Sequence, residues 1–192
     1  VPNDEKDTLV ARLLPPPVQF SDGETTAERF GDGSGACGAL VSPGVIGRAA
    51  FMLRVQTGCD EPCAYCIIPS TRGHGRSLDV AHVVAAVSHA ADSGFHEVVL
   101  TGVHLGSYGR DFESESSLTT LLRALDRHPS DVMFRISSLE PMDCSEAVVD
   151  LVARSGRFAP HFHLPLQNAS DRVLQAMRRP YSRGYYQRLV DM

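Results

Sequence analysis

No run of apolar residues in the 192-residue sequence approaches the roughly 18 to 20 needed to span a bilayer. The opening VPNDEKDTLV has neither the basic start nor the apolar core of a secretory signal. The expectation is a cytoplasmic protein with no membrane association. Lysine is nearly missing, since 17 of the 18 basic residues are Arg, so an Arg at a given position carries no weight as a choice over Lys. A net charge of −5 argues against an obligatory nucleic-acid binder, but the charge is unevenly spread. Residues 154–192 hold seven Arg and two Asp, a local +5, whereas residues 1–32 hold seven acids and three bases.

An even set of cysteines is also lacking. Of five, Cys59, Cys63 and Cys66 crowd into eight positions, too closely for a disulfide framework, and Cys37 and Cys144 lie far off in sequence. Metal or redox chemistry fits this usage better. The remaining composition, 43% hydrophobic and 21% charged, is that of an ordinary globular domain, so one domain with an N-terminal extension is expected.

Within residues 1–14, Leu9, Val10, Leu13 and Leu14 have helical spacing and read as the end of a preceding domain. Residues 15–47, rich in Pro, Gly, Ser and Thr, read as a linker. From residue 48 onward the chain alternates. Strands are expected at 51–57, 96–102, 132–138 and 161–167. Helices are expected over Val80–Ala91, stopping at Gly94, then over Leu118–Leu125 entered through Ser116 or Ser117, then at 145–154, 170–177 and from about 183. Strict alternation implies βα units on a parallel sheet, with chemistry gathered at the C-terminal strand ends. The loops after residues 57, 101, 137 and 166 are therefore the ones that matter.

The most specific signal is Cys59-x3-Cys63-x2-Cys66, directly after the first strand. A structural zinc would want a fourth ligand, and the only nearby candidate, His74, lies beyond Pro69 and Gly73 at an unusual spacing. Three thiolates suit a [4Fe–4S] cluster that keeps one iron open, and an open iron can chelate the amino and carboxylate groups of S-adenosylmethionine (SAM). Zinc and unclustered thiols remain the alternatives.

The stretches QTGCDEPCAYCIIPSTRG, LTGVHLGSYGRD, RISSLEP and HFHLPLQNASDRVLQAMRRPY, in that order, resemble the radical SAM methylthiotransferase family over residues 48–192. TGVHLGSYG is similar to the branch acting on tRNA threonylcarbamoyladenosine. The resemblance implies an α/β fold, a partial radical SAM (β/α) barrel with about four of six parallel strands. It implies addition of a methylthio group to C2 of N6-threonylcarbamoyladenosine at tRNA position 37, using one SAM as methyl donor and a second as radical source. It further implies a cluster on Cys59, Cys63 and Cys66, a cofactor seated by Tyr65 and Gly102, tRNA as partner, and an electron donor such as flavodoxin or ferredoxin. Sulfur would come from an auxiliary [4Fe–4S] cluster in an N-terminal domain of which residues 1–14 are a remnant. The chain is thus expected to be a fragment, incomplete at its C-terminus as well.

Other candidate residues carry bland readings beside the functional one. His104 alone would be a satisfied polar residue, but in TGVHLGSYG it is a candidate for the site. Ser137 or Ser138 could cap a turn and Glu140 could be a solvated acid, or hydroxyl and carboxylate could meet cofactor or substrate at the barrel mouth, with Ser138 the candidate taken forward. His161 and His163 share a strand face and read as packed or exposed imidazoles, whereas the Gln167 amide can both donate to and accept from a nucleotide. Arg178, Arg179, Arg183 and Arg188 interleave with Tyr181, Tyr185 and Tyr186 as in RNA-contacting surfaces. A non-enzymatic zinc-binding or RNA-binding module, or a radical SAM enzyme acting on another tRNA or protein, are the rival functions.

Overall fold

A computed structural model describes residues 50–114 and 116–192. The expectations for residues 1–47, and Cys37 with them, lie outside the described residues. The elements are β1 (Ala50–Thr57), α1 (Ile68–Arg72), β2 (Arg76–Ser77), α2 (Val80–Asp92), β3 (Glu97–Gly102), α3 (Leu118–Asp126), β4 (Met133–Ile136), α4 (Glu146–Arg154), α5 (Asp171–Ala176) and α6 (Arg183–Val190). Short 3-10 turns follow β3 at Leu105–Ser107 and β4 at Pro141–Asp143.

The sheet runs β2-β1-β3-β4. β1 and β3 pair in parallel from Ala50↔Glu97, and β3 and β4 from Glu97↔Met133. These three strands realise the expected parallel arrangement of a mixed α/β fold. The fourth strand is not the expected one. β2 is a two-residue strand, antiparallel to β1 through Gln56↔Ser77 and Thr57↔Arg76. The strand expected at 161–167 is not formed. Beyond β4 there are only isolated parallel bridges, Phe134↔Phe158 and Ser138↔His163. Pro160, just before that segment, and Pro165, within it, offer no N–H to a ladder, which accounts for contact without a continuous strand.

Period-two burial sorts the strand residues. Leu53 and Val55, Val98 and Leu100, and Phe134 and Ile136 face the helices, where Val83, Val87, Leu121, Leu122, Leu125, Val148 and Val152 close over them. Of the two serines expected to open α3 it is Ser117 that caps, accepting the Thr120 amide at 3.2 Å, while α2 is capped by Asp79, a residue not singled out from the sequence, through the His82 amide at 2.9 Å. α2 ends in a Schellman motif, with Phe95 N bonded to Ala90 O and Gly94 N to Ala91 O, and Gly94 at φ 87°. Phe95, the residue after that glycine, is buried.

Burial pushes the Cys144 thiol up to about 11. It also pushes the Tyr108 phenol well above its usual range, where the hydroxyl donates to Leu78 O at 2.5 Å. Both groups stay neutral in the fold and ionise more easily once unfolded, so their contribution is full below about pH 9 and is lost as pH rises through the folded value. Unfolding free energy is expected to fall by about 2 kcal/mol between pH 9 and 11. Urea titrations across that range check it, and Cys144→Ala is expected to flatten the slope.

Candidate active site

The cysteine loop leaves β1 through Gly58, at φ 72°, and folds back over residues 73–74, where Cys59 N donates to Gly73 O at 3.1 Å. Its geometry depends on a residue that the sequence did not single out. Gln56, 2% exposed, follows a register shift between Arg54 and Gln56 in the β1–β3 pairing. Its amide nitrogen donates to Thr57 O at 3.0 Å, Gly58 O at 2.9 Å and Ser107 Oγ at 3.3 Å, while its oxygen accepts His104 N at 2.8 Å. One side chain thus ties the loop after β1 to the loop after β3. Gly102 serves this arrangement, since a Cβ there would come within 3.0 Å of Gln56 Oε1 and 3.1 Å of Leu105 Cα.

The loops after β1, β3 and β4 meet around Cys59. His104 is 3% exposed, with Nδ1 3.7 Å from Cys59 Sγ and Nε2 2.6 Å from Asp143 Oδ2. Asp143 also takes a 2.7 Å ion pair from Arg110, and its approach requires Gly106, where a Cβ would lie 2.1 Å from the Asp143 Cβ. Burial raises the Cys59 thiol pKa; the Glu61 amide at 3.4 Å works against this, and the charges of Glu61, Cys63 and Cys66 add to it.

A second group surrounds Cys63. Arg179 Nη1 lies 3.1 Å from Cys63 Sγ and 3.4 Å from Tyr65 OH, and Nη2 is in ionic contact with Glu140 Oε2, outside hydrogen-bond geometry. Tyr65 itself is 52% exposed. Ser138 is paired with His163 at 2.8 Å, on the exposed side of the loop after β4. Gln167 is exposed at φ 67°, and its amide makes no side-chain hydrogen bond among the described residues. The structure therefore brings Cys59 to His104, and Cys63 to Tyr65 and Glu140 through Arg179, but joins neither Ser138 nor Gln167 to them.

The basic and aromatic tail divides differently from the sequence reading. Arg178, Arg183 and Arg188 are exposed, but Arg179 and Tyr181 are buried at 8% and 7%. Tyr185 and Tyr186 direct their hydroxyls to Pro141 O and Leu164 O, so four of the seven residues read as RNA-facing, Arg179 and the three tyrosines, pack inward. Arg178 sits at φ 56°, in the left-handed position of a Schellman motif that ends α5: Arg179 N bonds Leu174 O and Arg178 N bonds Gln175 O, both at 2.9 Å. A non-glycine residue costs about 1 kcal/mol there. Arg178→Gly is expected to raise stability by about 0.5 kcal/mol or more in urea unfolding.

The donor set separates the metal readings. Cys59, Cys63 and Cys66 are free and half-buried, and among the described residues no three His, Cys, Asp or Glu side chains converge on one metal ion. A zinc ion needs its donors within about 2.3 Å of one point. His74, the would-be fourth ligand, is 96% exposed and pairs with Asp60 at 2.5 Å. That hydrogen bond holds the Asp60 carboxyl below its usual range. Three free thiols on one short loop, with His74 turned to Asp60, fit a cluster that takes one thiolate per iron.

Residues 53–192 match the Radical SAM superfamily. The chain belongs to that superfamily. Among curated radical SAM relatives, it is 36% identical over 139 residues to the threonylcarbamoyladenosine tRNA methylthiotransferase MtaB of Rickettsia prowazekii, covering 72% of this chain and 33% of that protein. It is also 36% identical over 138 residues to the tRNA-2-methylthio-N(6)-dimethylallyladenosine synthase of Alkaliphilus oremlandii, covering 72% of this chain and 29% of that protein. The chain thus spans about a third of the length of these relatives. In fold, it matches the radical SAM methyltransferase TsrM of Kitasatospora setae with a TM-score of 0.59 at 16% identity, over 74% of this chain and 28% of that one. With its parallel strands and helix-covered face, the described chain is a partial radical SAM barrel.

Proposed function

We propose that the protein is a radical SAM methylthiotransferase that adds a methylthio group to C2 of N6-threonylcarbamoyladenosine at position 37 of tRNA. The observation that carries the reading is the loop of three free thiols at the C-terminal end of β1, backed by His104 from the loop after β3 and Glu140 from the loop after β4. Cys59, Cys63 and Cys66 would hold the [4Fe–4S] cluster, with Tyr65 and Glu140 beside it. When bound, cluster and SAM supply a 5′-deoxyadenosyl radical able to take hydrogen from an unactivated carbon. The chain's own residues fix the thiols, close the loop against Gln56 and present a cation at Cys63. Sulfur would come from an auxiliary cluster, reduction from a flavodoxin or ferredoxin, and the setting is cytoplasmic.

The threonylcarbamoyladenosine branch is favoured by TGVHLGSYG, whose His104 lies against Cys59. The dimethylallyladenosine branch is the second reading, because its relative is as similar as the first, at 36% identity. Mass spectrometry of tRNA nucleosides from a strain lacking the gene separates them. Loss of the methylthio form of threonylcarbamoyladenosine is the expected result. Loss of the dimethylallyl counterpart instead would transfer the protein to the other branch. Failure of the reconstituted, reduced protein to release 5′-deoxyadenosine from SAM would overturn both.

A further inference from the structure

Arg179 is the least expected member of the site. Its side chain is 3% exposed, in a segment 116 residues from Cys63 in sequence. The Schellman motif ending α5 turns the chain so that Arg179 faces the cysteine loop, and Ala64 N donates to Met177 O at 3.1 Å two residues earlier. The guanidinium lies over the Tyr181 ring at 5.1 Å, with Nε donating to Tyr181 OH at 3.3 Å. The tyrosine in turn donates to Pro165 O and Leu166 O. A buried guanidinium is costly unless paired, and here the pairing is with one carboxylate, Glu140, and one thiol, Cys63. Arg cannot shed its charge, so the cation beside Cys63 is permanent.

We propose that Arg179 is a positioning residue for the cluster: its Nη1–H bond to Cys63 Sγ fixes that ligand and its charge raises the cluster's reduction potential. The inference rests on the cluster assignment above. Reduction adds one electron, from the protein donor in the cell or from dithionite in an assay, and so one negative charge. A fixed cation bonded to a ligating sulfur stabilises that reduced state more than the oxidised one. Glu140 opposes the effect by neutralising part of the guanidinium charge.

The test is a redox titration of the intact protein, reconstituted anaerobically with iron and sulfide, with SAM omitted and the reduced cluster read by electron paramagnetic resonance. R179Q is expected to lower the ratio of reduced to oxidised cluster about tenfold at a fixed potential, equivalent to a shift of about 59 mV to more negative values for one electron. E140Q, which frees the guanidinium charge, is expected to shift the midpoint the opposite way. Opposite signs at two contacting residues are not produced by a merely structural staple. Wild-type midpoints in both variants would overturn the inference. If R179Q fails to fold by circular dichroism, R179M and R179K decide: the first is expected to lower the midpoint and the second, which keeps the cation, to stay near the wild-type value, and wild-type midpoints in both would overturn the inference. A wild-type protein that assembles no cluster would instead refute the cluster assignment, a result distinguishable from either variant's.

Discussion

Gly58→Ala is expected to destabilise the protein by roughly 3 kcal/mol or more and to leave the reconstituted protein with a fraction of its normal iron. Gly58 stands at φ 72°, where an L side chain costs about 1–2 kcal/mol. A Cβ there would also lie 1.9 Å from His74 O and 2.8 Å from Gly73 O. Those atoms are backbone and cannot swing aside as a flexible side chain would, so residues 73–74 must move. The same movement breaks the 3.1 Å bond from Cys59 N to Gly73 O and shifts the first thiol. Urea unfolding and iron per chain read the two consequences. Normal values for both would mean that the loop does not rest on residues 73–74.

Gln56→Leu, close to isosteric, is expected to cost about 3 kcal/mol through a different route. The leucine keeps the volume but strands the His104 amide and the Thr57 and Gly58 carbonyls that Gln56 now serves. Each buried polar group left without a partner costs about 1–3 kcal/mol. Hydrogen exchange locates the damage: the His104 amide should exchange much faster in the variant, while amides of α3 and α4 stay protected. Uniform loss of protection, or none, would contradict the local linkage.

Much of this was readable in the sequence wherever local signals and packing agree. The Val80, Val83, Val84, Val87 stripe followed by Gly94 gave both a helix and its end, since apolar spacing and a left-handed glycine point to the same boundary. The parallel strands β1, β3 and β4 were legible for the same reason. HFHLPLQ misled because alternation mimics a strand while Pro165 withholds a ladder donor. Gln56 was illegible because a polar residue at the end of an apolar run looks like a strand exit. Its value comes from a register shift that only pairing reveals. Arg179 was hidden by the abundance of arginine, and by a left-handed turn at Arg178 that carries no glycine to announce it.

The contacts of Ala64 with Met177 and of Cys63 with Arg179 also bear on the order of events during synthesis. More than a hundred residues separate the partners, and ribosomes add about 5–20 residues per second. The thiols therefore leave the ribosome several seconds ahead of the segment that later closes against them. Long-range contacts of this kind form late, because the loop-closure entropy must be met first. The nascent chain thus has an interval in which Cys63 lacks its cation and Ala64 its backbone tether, and on the proposed function the cysteine loop is then open to whatever delivers iron and sulfide.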